Sequence, residues 1–370
     1  MCVQITRSDH RTTASRLRVL YIAYPLLTVS DASAGGAEQV LWTLEREMAR
    51  QGTLTTVAAS AGSRVSGELF STGEPCTRND DFERRNREHQ ERIIKLLQQR
   101  RGEGRGFDLV HDMSGSFWPR AAEVEAPVLA TLHLPRHFYP AESFKNVPEK
   151  VTFNCVSQSQ AQTFSGLDRK MEVVPNGIAL DRFRPNYGER SGLLWLGRIC
   201  EEKGPHLALE IAARSGLPIT LAGQVYPFSY HQEFFKREIE PRLEQNPKAK
   251  WIDTPSRDLT LQLLRNASAL LITSLVDETS SLVAMEAAAS GTPVVAFARG
   301  ALPEVVQDGI TGFIASNIED AVESLKGVDC ISSAECVERA QKRFSAAAMG
   351  KGYERLYALL AHSEEALKAA

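Results

Sequence analysis

The sequence predicts an α/β protein built as two doubly wound, Rossmann-like domains. Three observations carry this. Short β-branched runs alternate with longer amphipathic stretches, the signature of parallel strands joined by crossover helices. The pattern occurs twice, once on each side of a turn-rich break at Pro175–Ser191. The 370 residues are also about the chain needed for two domains.

In the first half the strand candidates are Val19–Ala23, Leu54–Ala58, Leu109–His111, Val128–Leu132, Thr152–Val156 and Glu172–Val174. In the second half they are Leu193–Leu196, Ile219–Ala222, Leu270–Thr273, Val294–Phe297 and Gly312–Ala315. The first helix is the clearest, with Ala37, Val40, Leu41, Leu44 and Met48 at three- and four-residue spacing and Gly52 as its stop. Pro175, Asn176, Gly177, Pro185, Asn186 and Gly188 make the break, since all are turn formers.

The net charge is −3, which excludes a polycation that binds nucleic acid through bulk charge. With 43% hydrophobic and 24% charged residues the chain has the composition of a globular protein, not of a disordered one. No apolar run approaches the roughly 18–20 residues of a membrane span. Residues 1–16 are polar, carry Arg7, Arg11 and Arg16, and lack the apolar core of a signal peptide; a frayed tail is expected. The six cysteines are scattered with no C-x-x-C, so neither a disulfide framework nor a thiolate zinc site is expected, and a reducing cytoplasm fits. Residues 78–106 are rich in Arg and Glu, with Ile93, Ile94, Leu96 and Leu97 as a partial apolar stripe. They read as a solvated helix with mixed ion pairs. The alternative is a surface, over 82–101, that touches anionic lipid or an anionic acceptor.

Several motifs are missing. There is no G-x-x-x-x-G-K-[ST] and no H-E-x-x-H. Gly102-Glu103-Gly104-Arg105-Gly106 imitates a dinucleotide fingerprint but precedes a strand instead of following one, so it is set aside. No D-x-D occurs, the aspartate pair that commonly holds a divalent metal on sugar-diphosphate phosphates. No metal is therefore expected, and any diphosphate must be neutralised by side chains.

The richest string is Asp277-Glu278-Thr279-Ser280-Ser281-Leu282, running through Glu286 to Gly291-Thr292-Pro293 and another buried strand. Glu278 falls at the carboxyl end of a strand, the edge where open α/β sheets bind ligands. Ser280 or Ser281 caps the next helix, leaving backbone N–H groups aimed at that edge. Glu286 lies in an otherwise apolar helix and needs partners, for which ligand hydroxyls are suited. The plain alternative is a capped core helix with one tolerated Glu. Gly197, Arg198 and Lys203 follow the strand ending at Leu196, so both cations reach the same edge; a fork and a point charge suit a diphosphate, though two surface cations near a turn would look alike. Ala34-Gly35-Gly36-Ala37 opens the first helix, where glycines allow close backbone approach and the helix terminus favours anions; a flexible loop is the alternative. His133 ends the strand Val128–Leu132, as a ligand contact or as a satisfied strand-end histidine. His111 is similarly placed. His137-Phe138-Tyr139-Pro140 follows and is a candidate wall of an acceptor pocket.

The Glu278-to-Glu286 string resembles the E-x7-E signature of the retaining glycosyltransferases of family GT4, which have a GT-B fold. The resemblance runs from about Leu17 to Tyr357. Val174-Pro175-Asn176-Gly177-Ile178 with Phe183-Arg184-Pro185 looks like the family's interdomain segment, and Leu196-Gly197-Arg198 with Glu202-Lys203-Gly204 like its phosphate-binding pair. Pro303-Glu304, Asp308-Gly309, Phe344-Ser345 and Tyr353-Glu354-Arg355-Leu356-Tyr357 follow in the family's order. The resemblance implies that Glu278 contacts donor-sugar hydroxyls, that Glu286 contacts the nucleotide ribose, that Gly35 and Gly36 face the donor, and that His133 stands beside the reacting sugar. It also implies a front-face displacement in which the departing phosphate helps deprotonate the acceptor. Where the family often has Pro-Phe-Gly after the first Glu, this chain has Thr279-Ser280-Ser281, and Gly52-Thr53-Leu54 replaces the usual Gly-His-Glu.

The expectation is a GT-B protein with an acceptor-binding domain at 1–185, a nucleotide-sugar-binding domain at 186–340 and a helix at 341–370 crossing back to the first. Its expected catalytic residues are His133, Arg198, Lys203 and Glu278. Its expected donor-binding residues are Gly35, Gly36, Gly197, Ser280, Ser281, Leu282 and Glu286. The activity is retaining transfer from a nucleoside-diphosphate sugar, UDP or GDP, to a hydroxyl of a glycan, lipid or secondary metabolite. It needs no metal or other cofactor and no nucleic acid, and it takes place in the cytoplasm or at the inner membrane face. A sugar-nucleotide epimerase, a glycosyl phosphorylase or a non-catalytic nucleotide-sugar-binding protein are the alternatives.

Overall fold

Residues 16–76 and 81–369 of the computed structural model are described below, with side chains to Ala361. The expected tail, apart from Arg16, and Arg78 lie outside the described residues. The first domain contains β1 (Arg18–Ile22), β2 (Leu54–Ala59), β3 (Glu68–Ser71), β4 (Leu109–Asp112), β5 (Val128–Leu132), β6 (Val151–Cys155) and β7 (Met171–Val173). They form one parallel sheet in the order β3-β2-β1-β4-β5-β6-β7. The second contains β8 (Leu193–Leu196), β9 (Ile219–Ala222), β10 (Ala249–Ile252), β11 (Ala269–Ile272), β12 (Val294–Phe297) and β13 (Gly312–Ala315), ordered β10-β9-β8-β11-β12-β13 and again parallel. Strand order reverses at β1/β4 and at β8/β11, the kind of point at whose carboxyl ends open α/β sheets form their crevice.

The central strands are buried on both faces and lie where the sequence puts them. β3 and β10 were not expected. Both are edge strands, half-exposed and short of β-branched residues, so no buried run announces them.

The helices are α1 (Gly36–Arg50), α2 (Phe82–Gly102), α3 (Gln158–Gln162), α4 (Pro205–Ser215), α5 (Ser229–Phe234), α6 (Glu240–Gln245), α7 (Arg257–Asn266), α8 (Leu282–Ala289), α9 (Leu302–Val305), α10 (Ile318–Ser324), α11 (Ser333–Arg343) and α12 (Ala346–Ala369). Val40, Leu41, Leu44 and Met48 bury one face of α1, with Tyr353 and Tyr357 of α12 in the same cluster. Each such side chain contributes roughly 1.5–3 kcal/mol when fully withdrawn from water. In α2, Ile93, Ile94 and Leu96 are buried in the core on the other face of the sheet. The partial apolar stripe is thus taken up inside the domain. Other α2 side chains form ion pairs, among them Arg84 with Asp81 and Glu88 and Arg101 with Glu125. No helix among the described residues is long and apolar enough to cross a membrane.

Two strands of chain connect the domains, and they touch. The Ile178 N–H donates to the Phe344 carbonyl at 2.7 Å, and the Ala346 N–H donates to the Ile178 carbonyl at 3.0 Å. Gly177 allows this approach, because a Cβ there would stand 2.7 Å from the Ser345 carbonyl oxygen. The chain leaving the second sheet therefore re-enters the first domain beside the chain that left it, and α12 packs on α1.

Candidate functional site

The second domain supplies the charges. After β8 the chain turns through Arg198 and a single 3-10 turn, Glu201–Lys203, into α4. Gly204, at φ +66°, closes the turn, and its missing Cβ is what lets it lie against β11: a Cβ would fall 2.1 Å from the Thr273 carbonyl oxygen. This brings Lys203 to Glu278. The Lys203 Nζ donates to Glu278 Oε1 at 2.6 Å, and the Ser274 hydroxyl donates to the same oxygen. The Lys203 side chain remains 29% exposed, so the pair is open to solvent. Arg198 is more exposed, stands over the Tyr226 ring and comes within 3.7 Å of Glu202. The Gly197 N–H donates to the Ala222 carbonyl, making that glycine part of the turn.

Ser281 is the N-cap of α8, and its hydroxyl accepts the Ala284 N–H at 3.4 Å. The free N–H groups of the first turn and the helix dipole then favour an anion at this end. Ser280 does not cap; its Oγ is buried without a hydrogen-bond partner. Glu286 is 4% exposed, and the partner it requires is Arg257, whose guanidinium donates to Oε1 at 2.6 Å. Sequence reasoning missed Arg257. The signal present was a cation just after the Ser256 cap, at the positive end of α7, where it needs a carboxylate. Glu286 and Arg257 line an interdomain pocket together with Gln39, Trp42 and Arg182.

The first domain supplies the opposite wall. A Cβ on Gly36 would meet the Leu282 side chain at 3.5 Å, so this glycine faces the start of α8, whereas Gly35, the N-cap of α1, faces its own domain, with the Glu38 carboxylate and Leu27 filling the space a Cβ would need. His133 follows β5. Burial pushes its imidazole down to about 4, so it is neutral at pH 7, and its Nε2 is buried with no partner. The Thr279 hydroxyl donates to the His133 carbonyl at 2.8 Å, a bridge between the domains that proline at that position could not make. Glu304 makes a second bridge, accepting the Gln158 and Ser159 N–H groups at the start of α3. His133 Nε2 and Ser280 Oγ are thus two of the expected site groups left unsatisfied. An orphaned buried polar atom costs on the order of 1–3 kcal/mol and calls for an explanation such as a ligand.

The parallel drawn between His111 and His133 fails. His111 is fully buried within the sheet. Its Nδ1 lies 2.7 Å from the Tyr357 hydroxyl and its Nε2 lies 2.8 Å from Thr131 Oγ1. Tyr357 donates on to Tyr21, so the consistent arrangement is Nδ1–H donating to Tyr357 and Thr131 donating to Nε2. Tyr353 and Asn154 complete the group. The strand position was read correctly, but only tertiary packing shows that α12 covers it. Of the segment after His133, Tyr139 is buried and accepts the Leu134 N–H, while Phe138 is 61% exposed.

Comparison with known proteins agrees with this fold. Residues 34–182 match the family described as Glycosyltransferase Family 4, and residues 180–348 match Glycosyl transferases group 1. A D-inositol 3-phosphate glycosyltransferase of Mycobacterium tuberculosis is 31% identical over 196 residues, 48% of this chain and 40% of that protein. The match therefore spans less than half the length of the curated relative. Among solved structures, sucrose-phosphate synthase from Thermosynechococcus elongatus superposes with a TM-score of 0.75 at 18% identity, covering 94% of this chain and all of the other. AviGT4, a glycosyltransferase of avilamycin A biosynthesis, gives 0.69 at 22% identity, covering 94% of this chain and 98% of its own. Anabaena HepE, solved with UDP and glucose, gives 0.71 at 14%, covering 93% of this chain and all of its own. At such identities the likeness is one of fold. Taken together, the two consecutive family matches and the paired parallel sheets make this chain a member of the group 1, family 4 glycosyltransferases, with a GT-B fold.

Proposed function

We propose that this protein transfers a sugar, with retention of anomeric configuration, from UDP- or GDP-sugar to a hydroxyl of a glycan, lipid or small molecule. One observation carries the reading: Lys203 and Glu278 meet at 2.6 Å beside the capped start of α8, with unpartnered His133 Nε2 and Ser280 Oγ nearby in sequence to groups that bridge the cleft. In this reading Lys203 and Arg198 hold the diphosphate and stabilise the charge that grows on it as the glycosidic bond breaks, without a metal. Glu278 exchanges its bond to Lys203 for donor-sugar hydroxyls. Glu286 holds the ribose, with Arg257 fixing the carboxylate. The amides of Ser281 and Leu282 and the Gly197 turn line the phosphates. His133, Gly35 and Gly36 complete the site from the first domain, and the departing phosphate takes the acceptor proton.

The first test is the melting temperature against UDP, GDP, ADP, dTDP and NAD without added metal. A ligand at 100 times its Kd stabilises by about 2.7 kcal/mol, a rise of several degrees at most. A rise with one nucleoside diphosphate supports the reading and names the base. A rise with NAD alone, or with none of the five, overturns it.

A further inference from the structure

Beside the Lys203 turn lies a side-chain cluster to which the donor reading assigns no role of its own. Cys200 ends the stretch after β8, Glu202 sits in the 3-10 turn, and His231 comes from α5. Among the described residues this is the one His/Cys/carboxylate group with metal-binding spacing: one ligand atom from each lies within 4.8 Å of the others. Cys200 and His231 are buried, and both ring nitrogens of His231 lack a hydrogen-bond partner. The second observation is independent of the first. Aromatic rings of Tyr226, Phe228 and Tyr230 surround the imidazole, so its burial leaves two orphaned polar atoms in an apolar wall.

We infer that Cys200, Glu202 and His231 bind a single zinc ion that braces the turn carrying Arg198 and Lys203. Sulfur, imidazole and carboxylate together are a zinc donor set, whereas calcium and magnesium take oxygen ligands. Three protein ligands leave a fourth tetrahedral position for water. As the zinc–sulfur bond forms, the Cys200 thiol loses its proton to solvent, and His231 ligates through one neutral nitrogen. Thiolate and carboxylate then balance the ion's charge. Glu202 also lies 3.7 Å from the Arg198 guanidinium, so the metal fixes the carboxylate against which that arginine rests. The brace acts on the turn and is separate from any contact with the diphosphate. C-x-x-C spacing could not reveal it, because His231 reaches the other two only through the packing of α5.

The test uses the full chain, stripped with chelator and reloaded. Metal analysis after gel filtration should find a single equivalent of zinc. Cobalt(II) in its place should give the near-ultraviolet band of a thiolate–cobalt bond. Cys200→Ser should abolish that band, and Glu202→Gln, at a part-exposed position, should weaken zinc binding by about tenfold or more. Circular dichroism checks that each variant folds, and Glu202→Gln decides the matter if Cys200→Ser does not. Zinc well below one equivalent, a cobalt spectrum without the thiolate band, or zinc affinity unchanged in folded variants would overturn the inference.

Discussion

The two sheets present equivalent carboxyl edges, yet they use their polar groups in opposite ways. At the second sheet the groups are formal charges, paired but reachable: Lys203 with Glu278 and Arg257 with Glu286, each with one partner about a quarter exposed. At the first sheet they are neutral and sealed. Tyr21, His111, Thr131, Asn154, Tyr353 and Tyr357 bond to one another with almost no exposure, and burial raises the tyrosine hydroxyls and lowers His111 so that none carries charge at pH 7. Asp112, also buried, is satisfied by the N–H groups of Ser114, Gly115, Phe117 and Trp118 and by the Ser114 hydroxyl. The difference follows from what covers each edge. A helix crossing over the strands, α12, covers a seam of neutral groups bonded to one another, with only Asn154 Oδ1 among these six residues' side-chain polar atoms left without a partner, whereas an open cleft tolerates charges that can change partners.

Substitutions should separate the two edges. Lys203→Ala should lower turnover by on the order of 10²–10³ with the fold intact, as loss of one fixed transition-state stabiliser does; steady-state kinetics on the responsive donor checks this, and unchanged turnover would sink the role. Glu286→Gln should weaken nucleoside diphosphate binding by roughly 10–100-fold, read by calorimetry, since a charged hydrogen bond contributes about 1.5–3 kcal/mol. On the sealed side, Tyr357→Phe removes the hydroxyl that joins His111 to Tyr21. Denaturant unfolding should show a loss of about 1–3 kcal/mol while kcat stays within twofold or so. A large fall in kcat there would erase the distinction.

Two smaller effects sharpen the comparison further. Burial holds His89 and His133 at about 4, down from 6.5. Between those values the unfolded chain binds more protons than the folded one, so stability should fall as pH drops from about 6.5 to about 4 and be flat above that window as far as these groups are concerned. Urea midpoints across that range test the sign. Finally, Thr279→Val removes the bond to the His133 carbonyl. Amides near His133 should exchange about fivefold faster, the equivalent of about 1 kcal/mol.

Much of this was legible before the structure. Central strands declared themselves because both faces are buried, so apolar residues dominate their runs even where a buried polar group such as His111 or Thr131 interrupts them. β3 and β10 did not, because an edge strand half in solvent has no such run. Glu278, Lys203 and Ser281 could be placed at one edge because each follows a strand, and a parallel sheet brings all its strand ends to the same side. His111 obeyed the same rule and misled, since the rule says nothing of what lies on top. Arg257 and His231 were not read as site residues at all, because each meets its partners across a sequence gap that only packing closes.

The amino-acid sequence by itself determined the class of fold and the sheet edge to which Lys203, after β8, and Glu278, after β11, are carried. Periodicity and strand order are local properties, and a doubly wound sheet converts them directly into position. Only the tertiary structure decided which of those groups remain available. Pairing of Lys203 with Glu278, of Arg257 with Glu286 and of Thr279 with the His133 carbonyl depends on distances between segments remote in the chain. So does the sealing of His111 beneath α12. Burial and partnership set the charge and cost of a polar group, and both are properties of the packed molecule.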